Sequence, residues 1–217
     1  MMLARRDAVV RETRLWTLGG LSGVLATVCY ILAIALPWPE NQIGRSTLLL
    51  VISAWPILSI IYSYGLYRFI ASECQSTANR MAFVFAIAAF TTVLAMVIVQ
   101  LAVGAAFADI ARGLDEQTAN VLRRGLRMVD LGLDVAWDML IGTALVLLGF
   151  AMRRRKGLGP GWAFPSVLFG AALIGLNAAT FPWPPADGGL FEIGPAIGLF
   201  IIALAARLAV LSWRSTD

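Results

Sequence analysis

The sequence predicts an all-α fold: a polytopic membrane bundle of about six transmembrane helices. Three observations carry that prediction. The 217 residues are 59% hydrophobic and only 14% charged, whereas soluble domains run to about 45–50% apolar and about 25% charged. Apolar stretches recur along the whole length, each near or above the roughly 20 residues that cross a hydrocarbon core at about 1.5 Å per residue. Arginines gather where those stretches end, which is where the positive-inside rule puts them. Nothing reads as a separate soluble domain, so residues 1–217 are expected to form one integral membrane domain.

The first span, roughly 15–36, follows Arg5, Arg6, Arg11 and Arg14, as a signal peptide would. It is too long for a signal h-region and runs into LPWPE rather than a small-residue cleavage site, so it is expected to stay as a first helix. The second span, 48–67, holds Pro56, which membrane helices tolerate and which often marks a kink beside a cavity. Tyr62, Tyr64 and Tyr67 near its inner end read as interfacial aromatics. The third span covers 81–107, and the connection after it, 108–127, is the longest. There Leu114, Val121, Leu122 and Leu126, continuing to Val129, approximate helical spacing with arginines between them. That pattern predicts an amphipathic helix on the outer surface, leading into the fourth span, 128–152. The basic run 153–156 and a glycine-rich turn lead to the fifth span, 162–181, and the sixth covers 193–213. Gly19, Gly20 and Gly23 in the first span and Gly170 and Gly175 in the fifth suit close helix packing.

Basic residues set the expected orientation as N-in and C-in. The inner side then holds the N-terminal arginines, Arg68, Arg80, residues 153–156, Arg207 and Arg214, against Arg45, Arg112, Arg123, Arg124 and Arg127 outside. Asp109, Asp115 and Glu116 partly balance the outer set. Trp16, Trp162 and Trp213 fall at inner ends, and Trp38 and Trp183 at outer ends, where amphipathic rings prefer to sit. LPWPENQIG (36–44) resembles FPWPPADGG (181–189). The likeness reads either as a parallel repeat of a helical hairpin or as the ordinary use of Pro and Trp where helices stop.

The net charge of +4 does not call for nucleic acid, because it comes from arginines at span ends. Lys156 is the only lysine, and the Arg, Ala and Gly bias fits a GC-rich bacterial genome and hence a bacterial inner membrane. There is no His. Haem ligation through His, His-based zinc sites and Ser-His or Cys-His catalysis therefore cannot be built from this chain, and no cofactor, metal site or catalytic residue is expected. Cys29 and Cys74 fall on opposite membrane sides, too far apart to pair.

The feature that departs from an inert bundle is VDLGLDVAWDML, residues 129–140. Residues four apart advance about 40° beyond a full turn, so Asp130, Asp134 and Asp138 share one helix face, which Gly142 continues. Counted from a span beginning near Met128, Asp138 lies about 15 Å in, near the midplane. An ionised carboxylate there costs about 2.5–3.5 kcal/mol, so Asp138 is expected to be protonated or paired. Gln100, Asn177 and Tyr30 fall at similar depth on other spans, with Trp137 beside Asp138 and Glu192 at the outer surface. The other half of the bundle reads as nearly pure Leu, Val, Ile and Ala. This asymmetry predicts an outward-facing polar cavity with Asp138 at its floor. The bland alternative is a set of packing contacts, with Arg127 and Asp130 making a surface ion pair at three-residue spacing.

Other motifs fail. GLD (132–134) is not the GxGD of intramembrane aspartyl proteases, which need two carboxylates converging from different elements. KGLGPGW (156–162) lacks the GK[ST] ending of a phosphate loop and reads as a turn beside anionic lipid. Two functions remain. One is a small transporter or solute-binding protein for a polar or cationic solute or a proton, acting alone or as a homodimer. The other is a non-catalytic accessory subunit or assembly factor of a larger membrane complex, and an enzyme ranks behind both.

Overall fold

The computed structural model describes residues 2–35 and 41–214, with the side chains of residues 2–9, 11, 34, 42, 105, 108 and 109 left aside. Trp38 and the first PWP motif lie outside the described residues, as do the side chains of Arg5, Arg6, Arg11 and Asp109. Six α-helices follow one another, and no strand occurs among the described residues: α1 (Met2–Ala35), α2 (Gln42–Ala71), α3 (Thr77–Ala111), α4 (Glu116–Met152), α5 (Pro160–Thr180) and α6 (Gly194–Arg214). All six are long and apolar enough to cross a membrane.

The helices outrun the apolar stretches because capping side chains, rather than hydropathy, set their starts. Asn41 accepts from the Gly44 amide at 2.7 Å, Ser76 from Asn79 at 3.1 Å, and Asp115 from Thr118 at 2.9 Å. The turn before α5 uses Gly157 and Gly159 at positive φ, and Pro160 then opens the helix where no amide donor is needed. Residues 116–127, which carry the amphipathic pattern, are the first third of one unbroken helix. At 35 and 37 residues α3 and α4 are about 52 and 55 Å long, against about 31 Å for the 21-residue α5 and α6.

Successive helices from α1 to α5 pack side by side, and α6 packs on α1. The ring closes through aromatics, because Phe200 of α6 meets Trp162 at 6.0 Å and Phe169 at 5.5 Å on α5. The start of α1 and the end of α6 therefore fall at one end of the bundle, called here the terminal end, and the acidic residues of α4 lie toward the far end. Small residues decide how closely the helices approach. A Cβ on Gly19 would stand 2.7 Å from the Gly65 Cα, and one on Gly142 would stand 3.0 Å from the Gly170 carbonyl. Gly175, expected to pack, faces open space.

The terminal end is cross-tied. Glu12 pairs with Arg68, Thr17 Oγ1 donates to Ser212 Oγ at 3.0 Å, and Arg207 Nε donates to the Gly157 carbonyl at 3.0 Å. Arg155 departs from its exposed neighbours in the basic run 153–156. It is buried, lies 3.8 Å from the Phe69 ring centroid, pairs with Glu73 and donates to Ser72 Oγ. One guanidinium thus locks the turn after α2 to the turn before α5. Cys29 and Cys74 are both free thiols.

Two outcomes are expected. Gly19→Ala should lower the melting temperature of the purified protein, the overpacking costing about 1–3 kcal/mol, while Gly175→Ala should leave it unchanged. The Glu73 carboxyl is held below its ordinary value of 4.5, first by the Arg155 hydrogen bond. A carboxylate lowered in the folded state adds stability above its unfolded value and loses it as pH falls through the folded one. The effect is small because Glu73 is 42% exposed. Between about pH 5 and about pH 3 the wild type should lose more thermal stability than Glu73→Gln. Parallel losses would mean that the pair does not form.

Candidate functional site

The far end of α4 carries its acids on a gradient of burial. Asp130 and Asp134 are half-buried and Asp138 is 8% exposed. Two neighbouring helices supply amides to this face, one to each end of the ladder. Gln100 of α3 donates through Nε2 to Asp130 Oδ1 at 2.6 Å, and Asn177 of α5 donates through Nδ2 to Asp138 Oδ2 at 2.9 Å. The same Asn177 nitrogen also donates to the Leu173 carbonyl at 3.0 Å. The expected partners therefore divide: Gln100 serves the outermost acid and Asn177 the innermost.

Asn177 lies three residues from the end of α5, so Asp138 is only about one turn from the far end of that helix. About half of α4, up to roughly residue 134, therefore runs beyond the end of α5, so Asp138 lies nearer to that end than the count from Met128 suggests. Gln100 opposite Asp130 and Phe107 opposite Arg123 fix α3 and α4 as a continuous antiparallel hairpin over that extension.

Two arginines near the ladder are engaged elsewhere. Arg127 reaches Asp187 in the α5–α6 connection at 3.2 Å instead of forming the anticipated pair with Asp130. Arg123 lies 5.0 Å from the Phe107 ring centroid. Among the described residues no ion pair reaches Asp134, Asp138 or Glu192. Two further polar atoms at this level are buried without a partner, Asn177 Oδ1 and Trp137 Nε1. Asn177 itself is 1% exposed.

Tyr30 comes within electrostatic reach of Asp134 and Glu192. Its ring lies 4.6 Å from that of Trp55, which stands edge-on to Trp137 at 6.3 Å. Trp55 was not among the expected site residues, although its spacing of four and seven residues to Ser59 and Tyr62 marks one helix face. Ser59 and Ser63 spend their hydroxyls on their own helix, donating to the Trp55 and Ser59 carbonyls.

A cavity of about 50 Å³ begins one turn further down α4, between Tyr62 and Leu66 of α2, Phe90 of α3, Ile141 and Leu145 of α4, and Leu204 of α6. Asp138 does not line it. The Tyr62 hydroxyl is buried there without a partner. With Ser59, Ser63, Asn79 and Ser166 also buried, the terminal half of the bundle is less purely apolar than the sequence suggested.

No protein-family model, curated protein or solved structure matches the chain.

Asn177→Ala should cost about 1–3 kcal/mol in a detergent unfolding titration, since it strips the buried carboxyl of its donor. Gln100→Ala, at an exposed pair, should cost less than about 1 kcal/mol. Equal costs would mean that burial does not distinguish the two contacts.

Proposed function

We propose that the protein lies in a bacterial inner membrane as one N-in, C-in domain and takes a small cationic or polar solute from the outer face, as a small transporter does. Asp138 is the charge-carrying group, with Asp134 and Glu192 along the approach and Asp130 at its rim. One observation supports this above the others. Asp138 is buried, with a neutral amide as its donor and no cation beside it among the described residues. A carboxyl kept for packing is ordinarily answered by a guanidinium or by several donors. Here Arg127, the nearest in sequence, goes to Asp187. Ionisable groups inside a membrane bundle most often mark a solute or proton route.

In this orientation the α3–α4 extension, with Arg123 and Arg124 on it, stands on the outer side. The buried Arg155 lock then sits on the cytoplasmic side, where positive charge belongs.

The test is purification from native membranes in mild detergent, followed by mass spectrometry of the intact particle. A monomer or homodimer should carry a small molecule, and Asp138→Asn should purify with the same elution profile but without it. A fixed set of other proteins, present equally with Asp138→Asn, would make the chain an accessory subunit and Asp138 a packing group.

A further inference from the structure

At the level of the acids that no ion pair reaches lies a run of three rings drawn from three helices. Tyr30 comes from α1, Trp55 from α2 and Trp137 from α4, and each is in ring contact with the next. Trp137 adjoins Asp138 in sequence, and Tyr30 is within electrostatic reach of Asp134 and Glu192. Aromatic faces attract cations and also provide apolar area, so rings beside carboxylates suit a cation that carries hydrocarbon.

The other cation classes fit less well. A metal ion needs several hard ligands at one point, and among the described residues no three acidic or thiol groups converge in that way. A quaternary ammonium would satisfy the rings but has no N–H to offer. The Asn177 Oδ1 is buried, unpartnered and on the same amide that holds Asp138. It wants a donor, and the buried Trp137 N–H wants an acceptor.

We infer that the solute is a protonated organic amine with an apolar group, its ammonium held between Asp138 and Asn177 Oδ1 and its hydrocarbon laid on Tyr30, Trp55 and Trp137. This rests on reading Asp138 as the cation-binding group, and it adds the class of cation. The role of Trp137 is double, since its face carries the apolar group while its N–H meets a hydroxyl or carbonyl of the solute.

The experiment titrates the full chain in lipid nanodiscs with benzylammonium, using sodium and tetramethylammonium as comparators and calorimetry as the readout. Benzylammonium should bind at one site and the comparators far more weakly. Trp55→Leu and Trp137→Leu should each weaken it by about tenfold, and Trp55→Phe, which keeps a ring, by less. Asp138→Asn should abolish binding. A readout free of variants accompanies this: bound benzylammonium should quench tryptophan emission and shield Asp138 from a water-soluble carbodiimide.

No heat with benzylammonium, equal heat with tetramethylammonium, or binding that leaves Asp138 unshielded would each overturn the inference. The two levels fail differently. A non-amine molecule that co-purifies with the wild type and is lost in Asp138→Asn would overturn the amine while leaving the solute site standing. Full benzylammonium binding by Asp138→Asn would remove both.

Discussion

In hydrocarbon a polar group has no water to fall back on, so a group buried in this bundle that no other part of the chain answers is costly. Several hydroxyls are answered locally. Ser59, Ser63, Thr92 and Thr143 donate to carbonyls of their own helices. A few are answered across a helix contact, as when Ser166 donates to the Leu145 carbonyl at 2.7 Å. These cross-contacts coincide with the closest approaches of backbone, which small residues permit. Satisfaction of polar groups and tightness of packing are thus one requirement, met at the same places.

The two ends of the bundle meet it in opposite ways. At the terminal end the charges are paired: Arg68 has Glu12, and Arg155 has Glu73, Ser72 and a ring face. The far end pairs its outermost charges, Arg127 with Asp187, and leaves the deeper acids to an amide and to aromatic neighbours. A cross-tied end is a poor place for a solute to enter, because admission would break a network that holds two connections together. Buried polar atoms without a partner occur in both halves, Trp16 Nε1, Tyr62 Oη and Arg155 Nε toward the terminal end and Trp137 Nε1 and Asn177 Oδ1 toward the far end, and at the far end they lie at the level of acids that no ion pair reaches.

The helices were legible because the bilayer imposes a length and a polarity that composition records directly. Their ends were less so. Asn41, Ser76 and Asp115 are small polar residues in sequence terms, and their role as caps emerges only once the backbone turns around them. The acidic face was legible from its four-residue spacing, and Asn177 from its depth. The nearness of Asp138 to the end of α5 was not, because a count along α4 alone cannot know that α5 ends 14 residues after Ser166 while α4 runs on past it. The Arg127 partner escaped for a related reason: local spacing offered Asp130, and the α5–α6 connection brought Asp187 closer. Trp55 was hidden by the absence of any local pattern that joins rings on three separate helices.

The unequal helix lengths have a kinetic meaning. The α3–α4 hairpin continues past the end of α5, with the ladder running up its side from Asp138 to Asp130. If Asp138 holds a solute as proposed, a solute leaving it would not pass at once into bulk water. It would move along a charged rail backed on one side by helix, where return is favoured over escape. Such a rail would lengthen the dwell time without deepening the site. It would let a group only one turn below the end of α5 hold a guest as a more enclosed pocket does.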